Sequence, residues 1–411
     1  MVPIPRNSGG WPTKTIRCTL IIVSGYWDVP SRRLLGRTVA ACVIGSLLVA
    51  CGGRGTSISL SPPVPTPIPQ LFVANYGSNS VTQYPLNNLS TSSPVTISVG
   101  VNLPAAFTFN RAGDLFVANG GNNTVTTYPS SNYATAAPTV ITTDIAFCSF
   151  FPSGPCYPPA LALDSTGNLL VANDNDTVTE YPANNLTTAS PTVVLADRIP
   201  IRLNFITTAV ALDAAGNLYI ANCPSSAMGA GSPPPDTVTE YPAGYYTTTS
   251  PITISAGIDC PLGLLFDASG NLFVLNHDGS YLGGSSAVGS VTKYPAGNYT
   301  TFSPTVITSG MSYPYAMALD AAGNLFVANC GCGTPGSVTI YPSDNLTTGS
   351  PTVVSSGINV PVALALDAVG NLFVANYGNN TVTMYPSTNY KTTSPTVIST
   401  GVNAPFALAV H

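Results

Sequence analysis

The stretch LFVANYGNNTVTMYP, Leu372–Pro386, constrains this chain more than any other feature, because variants of it occur seven times. The LFVAN-like pentads begin at Leu71, Leu115, Leu169, Leu218, Leu272, Leu325 and Leu372. Each leads to a V-T-x-Y-P segment, ending at Pro85, Pro129, Pro182, Pro242, Pro295, Pro342 and Pro386. A P-T-V-I-S-T-like segment and an A-L-A-L-D-like segment complete the unit, and successive pentads are 44 to 54 residues apart. A chain that repeats at this interval builds one array of supersecondary units, not a series of unrelated domains.

Every segment is short, rich in β-branched or alternating residues, and bounded by Gly, Pro, Asn or Asp, which reads as a strand. Four such strands per unit is the period of a β-propeller blade. The reading is all-β: a seven-bladed propeller of four-stranded blades over residues 71–411. The small, apolar ALALD strand is expected at the crowded axis. The P-T-V-I-S-T strand is expected at the rim, because Pro cannot donate to a ladder and is confined to strand starts and edges. The first unit lacks an inner strand and the last has a spare one, Phe406–Val410. From the Pro opening the outer segment to the Asp closing ALALD is 16 residues in regular units, and Pro395 to His411 is also 16. The C-terminal strand is therefore expected to complete the N-terminal blade and close the ring, which leaves no open edge blade.

The N-terminus reads as an address. Residues 1–50 hold six of the twelve Lys and Arg and one acid, Asp28; the rest of the chain holds six basic and sixteen acidic residues, a net of 6 − 16 = −10. Arg32, Arg33 and Arg37 precede the apolar run Val39–Ala50, too short to span a bilayer as a helix but suited to a signal-peptide core. A start at Val29 would give a signal of ordinary length, which makes 1–28 a candidate mis-annotated extension. Leu48–Cys51, LVAC, followed by Gly52 and Gly53, resembles a bacterial lipoprotein signal. The resemblance implies that Cys51 is lipidated, and Gly52 after it favours the outer membrane of the cell envelope. Ser31–Arg37, SRRLLGR, partly resembles a twin-arginine signal. Residues 51–70 then form a Pro-rich tether, PPVPTPIP at its centre, able to reach roughly 60 Å at about 3.1 Å per residue.

Loop lengths separate the two faces of the disc. Asp to Leu across the ALALD–LFVAN turn is five residues, and Pro to Pro from the third strand to the outer one is nine in every copy. The other two connections vary. From the pentad Asn to the next strand Val is five or six residues in four copies, but 16 after Asn222, 15 after Asn276 and 9 after Asn329. The outer-to-inner crossover grows from 16 residues to 26 in the second unit and 22 in the third. All variation lies on one face, which marks a binding face or neutral drift.

Six cysteines beyond Cys51 lie in those connections: Cys148, Cys156, Cys223, Cys260, Cys330 and Cys332. An even number in an exported domain reads as disulfides. Proximity pairs Cys148 with Cys156 and Cys223 with Cys260, and leaves Cys330 and Cys332 as a tight C-G-C pair or as thiols.

Catalytic motifs are scarce. No G-x-S-x-G, H-E-x-x-H or Walker loop stands in a suitable setting. The candidate ligand-face residues are Asn173, Asp174, Asp176, Asn222, Asn276, His277, Asp278, Tyr281 and Asn329. Asp174 and Asp176 offer oxygens for calcium but lack the spaced set of a calcium loop, so no cofactor is expected. The pentad Asn residues stand at one level of the ring, either as amides at the channel mouth or as caps of their own turns. The acidic, Lys-poor surface argues against nucleic acid.

Pro361–Asn376, PVALALDAVGNLFVAN, resembles NHL-type propeller repeats over all seven units. Related propellers include the virginiamycin B lyase and gluconolactonase families, but their channel His, Glu or metal-binding acids have no counterparts here: the only Glu residues, Glu180 and Glu240, lie in third strands. The expectation is a monomeric, envelope-anchored module that binds a protein or a glycan through its insertion-bearing face; the alternative is an extracytoplasmic hydrolase or lyase.

Overall fold

A computed structural model describes residues 68–89, 93–147, 160–173, 175, 177–195, 205–224, 235–247, 251–277, 289–300, 303–331, 335–347 and 349–411. Cys51, Cys148, Cys156, Asp174, Asp176, Asp278, Tyr281 and Cys332, with the signal and most of the tether, lie outside the described residues.

Seven separate four-stranded antiparallel sheets make up the domain. Blade 7 shows the plan: inner strand Pro361–Leu366, second strand Leu372–Asn376, third strand Thr381–Tyr385 and outer strand Thr396–Ile398, in that spatial order. The register pairs Leu366 with Leu372 and Leu372 with Tyr385. Blade 1 closes as expected. Its inner strand is Pro405–Val410, which pairs with Gln70–Asn75 from the other end of the domain. The closure extends one residue beyond the strand: Gln70 N donates to His411 O at 2.7 Å, and His411 N donates to Gln70 O at 2.9 Å.

Burial follows the position of each strand. In blade 7 all five residues of LFVAN are buried, because a second strand is covered by a neighbouring blade on each side. Of the outer strand only Ile398 is buried. The core is accordingly divided into seven interblade clusters. One joins Phe326, Val338 and Val354 of blade 6 to Leu372, Val374 and Tyr385 of blade 7. Each fully buried Leu or Val there contributes about 2 kcal/mol.

The constant lengths on one face have a physical cause. Asp367 Oδ1 accepts from Asn371 N at 2.8 Å while Oδ2 accepts from Asn371 Nδ2 at 2.7 Å, and Gly370 takes φ +86° to close the turn. Asn371 Oδ1 in turn accepts from Ser387 N at 3.0 Å, so the inner turn and the loop to the outer strand are tied together. An inserted residue in either would break the tie.

The pentad Asn and the V-T-x-Y segment grip the crossover arriving from the preceding blade. Asn376 Oδ1 accepts from Asn359 N at 3.0 Å, Thr383 Oγ1 donates to Gly357 O at 3.1 Å, and the Tyr385 hydroxyl donates to Ser356 O. Blade 1 holds the last crossover in the same way, through Asn75 to Asn403 N and Tyr84 to Thr400 O. These three positions recur because each carries part of the joint between blades.

Blade 4 departs from the plan. Its inner strand, Phe205–Leu212, and second strand, Leu218–Pro224, run past Asn222, the usual end of the pairing. Asn222 Oδ1, whose counterparts in the other blades accept from a crossover N–H, has no partner.

Candidate binding face

At the variable face the inner strands carry a β-bulge at the residue after their first Pro. The register shifts between Pro314 and Ala316, between Pro361 and Ala363 and between Pro261 and Gly263. A bulge re-aims one side chain, and here it aims Tyr315, Val362 and Leu262 at the axis. In blade 1 the same position is Phe406, and in blade 4 it is Thr208.

Phe406 is 5% exposed and forms the hub of an aromatic cluster. Its ring centroid lies 5.6 Å from Tyr76, 6.3 Å from Tyr377 and 6.4 Å from Tyr315. Tyr76 and Tyr377 each follow a pentad Asn and open a short 3-10 turn, Tyr76–Ser78 and Tyr377–Asn379. Burial, with Tyr377 adding to it, holds the Tyr76 phenol above its ordinary pKa, so it remains a protonated hydrogen-bond donor. Tyr377 is 37% exposed and presents its ring to solvent.

Beneath this cluster the axial cavity has a volume of about 300 Å³. Phe107, Leu161, Leu264, Met317, Leu364 and Leu408 are among its walls. Its described lining carries no charged side chain; its polar groups are the Tyr315 phenol and Thr208, whose hydroxyl donates to Pro261 O.

The sequence candidates fall into distinct places. Asn173, Asn222, Asn276 and Asn329 are at most 1% exposed, and their amides make internal bonds. Asn276 Nδ2 donates to Thr292 Oγ1 at 2.9 Å, and its Oδ1 accepts from Asp259 N at 3.2 Å. The structure thus uses Asn173, Asn276 and Asn329 as clamps between second strand, third strand and crossover, while Asn222 bonds only its own blade. His277 occupies the same position in blade 5 as Tyr76 and Tyr377 do in theirs: its backbone N donates to Cys260 O at 3.1 Å, as Tyr377 N does to Val360 O. The His277 ring is 3% exposed and lies 6.2 Å from Tyr313.

Cys223 and Cys260 form the expected disulfide, with Cα atoms 4.5 Å apart. It joins the end of the second strand of blade 4 to the residue before Pro261 in blade 5. Where the loops are short, an amide does this work: Asn79 Oδ1 accepts from Leu103 N and Asn380 Oδ1 from Ala404 N, both at 2.7 Å. Beside the bridge, burial, with Asp259 adding to it, raises the Asp236 carboxyl above the usual range even though a Cys260 backbone bond opposes the shift. Cys330 is buried at the equivalent position of blade 6. Among the described residues no group of three or more His, Cys, Asp or Glu is placed to hold a metal ion.

The sequence reading missed Tyr76, Tyr315, Tyr377 and Phe406. The signal was available. The residue after the inner-strand Pro is Ala105, Leu262, Tyr315, Val362 or Phe406, so its size varies more than that of the Ala or Gly that follows it.

Fold and site together define a seven-bladed β-propeller with an apolar axis and an aromatic mouth. Known structures share the propeller fold. A candidate 6-phosphogluconolactonase from Bacteroides fragilis aligns with a TM-score of 0.59 at 14% identity, over 85% of this chain and 100% of its own. A functionally unknown protein from Desulfotomaculum acetoxidans gives 0.58 at 11%, over 83% and 98%. A streptogramin B lyase gives 0.50 at 12%, over 77% and 92%. At such identities the likeness is one of fold. No family model matches the sequence, and no curated protein does.

Proposed function

We propose that this chain is a binding module built on NHL-type repeats, held at the bacterial cell envelope through a lipid on Cys51, that takes a protein or glycan partner on its insertion-bearing face. The observation that carries the reading is the channel mouth, where Tyr76, Tyr315 and Tyr377 surround Phe406 over an apolar cavity. Aromatic rings with exposed faces and polar tips suit both protein and sugar partners, and they order at low entropic cost. The long connections of blades 2 to 6 join strand ends that lie on the same face. A hydrolase or lyase, as the names of two structural neighbours would suggest, needs an acid, base or metal at the axis. The described lining supplies phenol and hydroxyl groups only, which favours the binding reading.

The test compares the intact chain with Tyr76→Ser/Tyr377→Ser and with a deletion of 224–236, in glycan-array and envelope cross-linking experiments. The expected result is loss of at least about tenfold in partner capture by either variant. Full capture by both, with unchanged circular dichroism, sinks the reading. Metabolic labelling with a radioactive fatty acid checks the anchor: Cys51→Ser must abolish incorporation.

A further inference from the structure

A second cavity, of about 740 Å³, opens on the opposite, constant face between blades 2 and 3. Its origin is readable from the repeats. At four blade junctions the residue four places after the Y-P proline is a tyrosine: Tyr133, Tyr246, Tyr299 and Tyr390. Each hydroxyl donates to the carbonyl of its own blade's turn glycine: Gly113 at 2.6 Å, Gly216 at 2.8 Å, Gly270 at 2.9 Å and Gly370 at 2.7 Å. In three of them the ring also stands edge to face on an aromatic residue of the preceding blade's second strand. Tyr133 meets Phe72 at 5.4 Å and 88°, Tyr299 meets Tyr219 at 5.7 Å and 88°, and Tyr390 meets Phe326 at 5.4 Å and 81°.

Between blades 2 and 3 the acceptor and the floor are present but the tyrosine is not. Phe116 is the second-strand aromatic, 3% exposed. Gly167 closes its turn at φ +89°, as Gly113 does at +83°. Leu186 stands at the tyrosine position, and both Phe116 and Leu186 line the cavity. The third-strand neighbour is also short here, Thr127, where other blades place Glu180, Lys293 or Met384. The two other junctions with leucine are filled by such residues: Lys293 Nζ lies 5.1 Å above the Phe273 ring, and Met384 packs with Leu86 and Leu89 on Phe373.

We propose that this slot binds a phenol ring, which takes the place of the missing tyrosine, stands edge-on to Phe116 and donates its hydroxyl to Gly167 O. The chemistry is that of a para-alkyl phenol, either a free small molecule or a tyrosyl side chain presented on a peptide. The site lies on the face opposite the aromatic mouth and does not depend on the function proposed there.

The test is ligand-observed NMR on the full chain with p-cresol, toluene and a short peptide carrying one central tyrosine. p-Cresol is expected to bind, with toluene at least about fivefold weaker for want of the hydroxyl. Binding of the peptide as well assigns the slot to tyrosyl side chains; binding of p-cresol alone assigns it to free phenols. Leu186→Tyr rebuilds the internal contact seen at the four filled junctions, so it should weaken p-cresol by more than about tenfold and raise Tm. Thr127→Met, which copies blade 7, should weaken p-cresol without needing a new hydrogen bond. Absence of p-cresol binding, equal affinity for toluene, or unchanged p-cresol affinity in both folded variants overturns the proposal.

Discussion

The clamp formed by each pentad Asn predicts an unequal response to the same mutation in different blades. Asn376 is fully buried; its Nδ2 donates to Thr383 Oγ1 at 2.7 Å and Thr381 Oγ1 at 3.2 Å, and its Oδ1 accepts from Asn359 N at 3.0 Å. Replacing it with Ala removes three hydrogen bonds worth about 1 kcal/mol each and strands the Asn359 N–H, so the loss should be about 3 kcal/mol. Asn222 is equally buried and its Nδ2 also reaches a third-strand threonine, Thr239 Oγ1 at 2.9 Å. Its Oδ1, however, has no partner. Asn222→Ala loses the donor bonds but also removes a buried acceptor that costs about 1 kcal/mol or more, leaving a net loss of about 1 kcal/mol or less. The two variants should differ by about 2 kcal/mol, roughly thirtyfold in the folding equilibrium constant. In a domain of this size that corresponds to about 3 °C in Tm. Urea titration followed by circular dichroism reads the difference directly. Equal destabilisation, or a larger loss for Asn222→Ala, would refute the assignment of the crossover bond as the larger part of the clamp.

Reducing the Cys223–Cys260 bridge, which closes 37 residues of sequence separation, should cost up to about 4 kcal/mol by loop entropy. Cys223→Ser/Cys260→Ser should melt lower than the parent and ignore dithiothreitol. Gly336→Ala should destabilise by more than about 2 kcal/mol, because the added Cβ would sit 2.4 Å from Asn329 O and 2.2 Å from Pro361 Cδ; thermal melts check this. Stability should fall steeply in alkali. Burial raises Tyr128 and Tyr246 to about 12, with nearby carboxylates, Glu180 first, adding to it at Tyr246, and lifts Tyr181, Tyr294 and Tyr385 in the same direction. An unfolded Tyr loses its proton near pH 10. Above that pH the unfolded chain releases protons that the folded chain retains, so the stabilisation is complete below pH 10 and is lost as pH rises through the folded values. Unfolding monitored by phenolate absorbance should therefore begin above pH 10, and a flat profile to pH 12 would contradict it.

Much of the architecture was legible because it is written in local chemistry repeated seven times. The Asp-to-Asn turns, the outer-strand Pro and the spare inner strand of the C-terminus each state a requirement that one strand arrangement meets. The Cys223–Cys260 pair was legible from loop proximity alone. What escaped depends on non-local geometry. A bulge carries no composition signal of its own, so nothing in Pro314–Leu319 announces that Tyr315 faces the mouth. The pentad Asn residues looked equally suited to lining a channel or capping a turn. Their use as interblade clamps follows only once the preceding blade's crossover is seen to pass over them. The slot at Gly167 needs still more: it is defined by Phe116 and Thr127 from one blade and Leu186 from the next.

The same comparison separates positions that hold the ring from positions that are free to recognise something. Where the variable-face loops are short, Asn79 and Asn380 grip the next blade through their amides. Where the loops are long, in blades 4 to 6, that grip is replaced. The disulfide joins blade 4 to blade 5, and Gly289 and Gly336 let Pro314 and Pro361 of the following blades pack directly against the backbone. Insertions in a structural joint are tolerated best when another device restores it, and each of these three loops coincides with one. The long crossover into blade 4 has no such device among the described residues, and there Asn222 Oδ1 lacks the bond its counterparts make. On the binding role proposed above, recognition should be sought in the long loops and in the bulge and post-Asn positions that differ from blade to blade. Mutations in the repeated LFVAN-like and V-T-x-Y residues should register as lost stability before they register as lost binding.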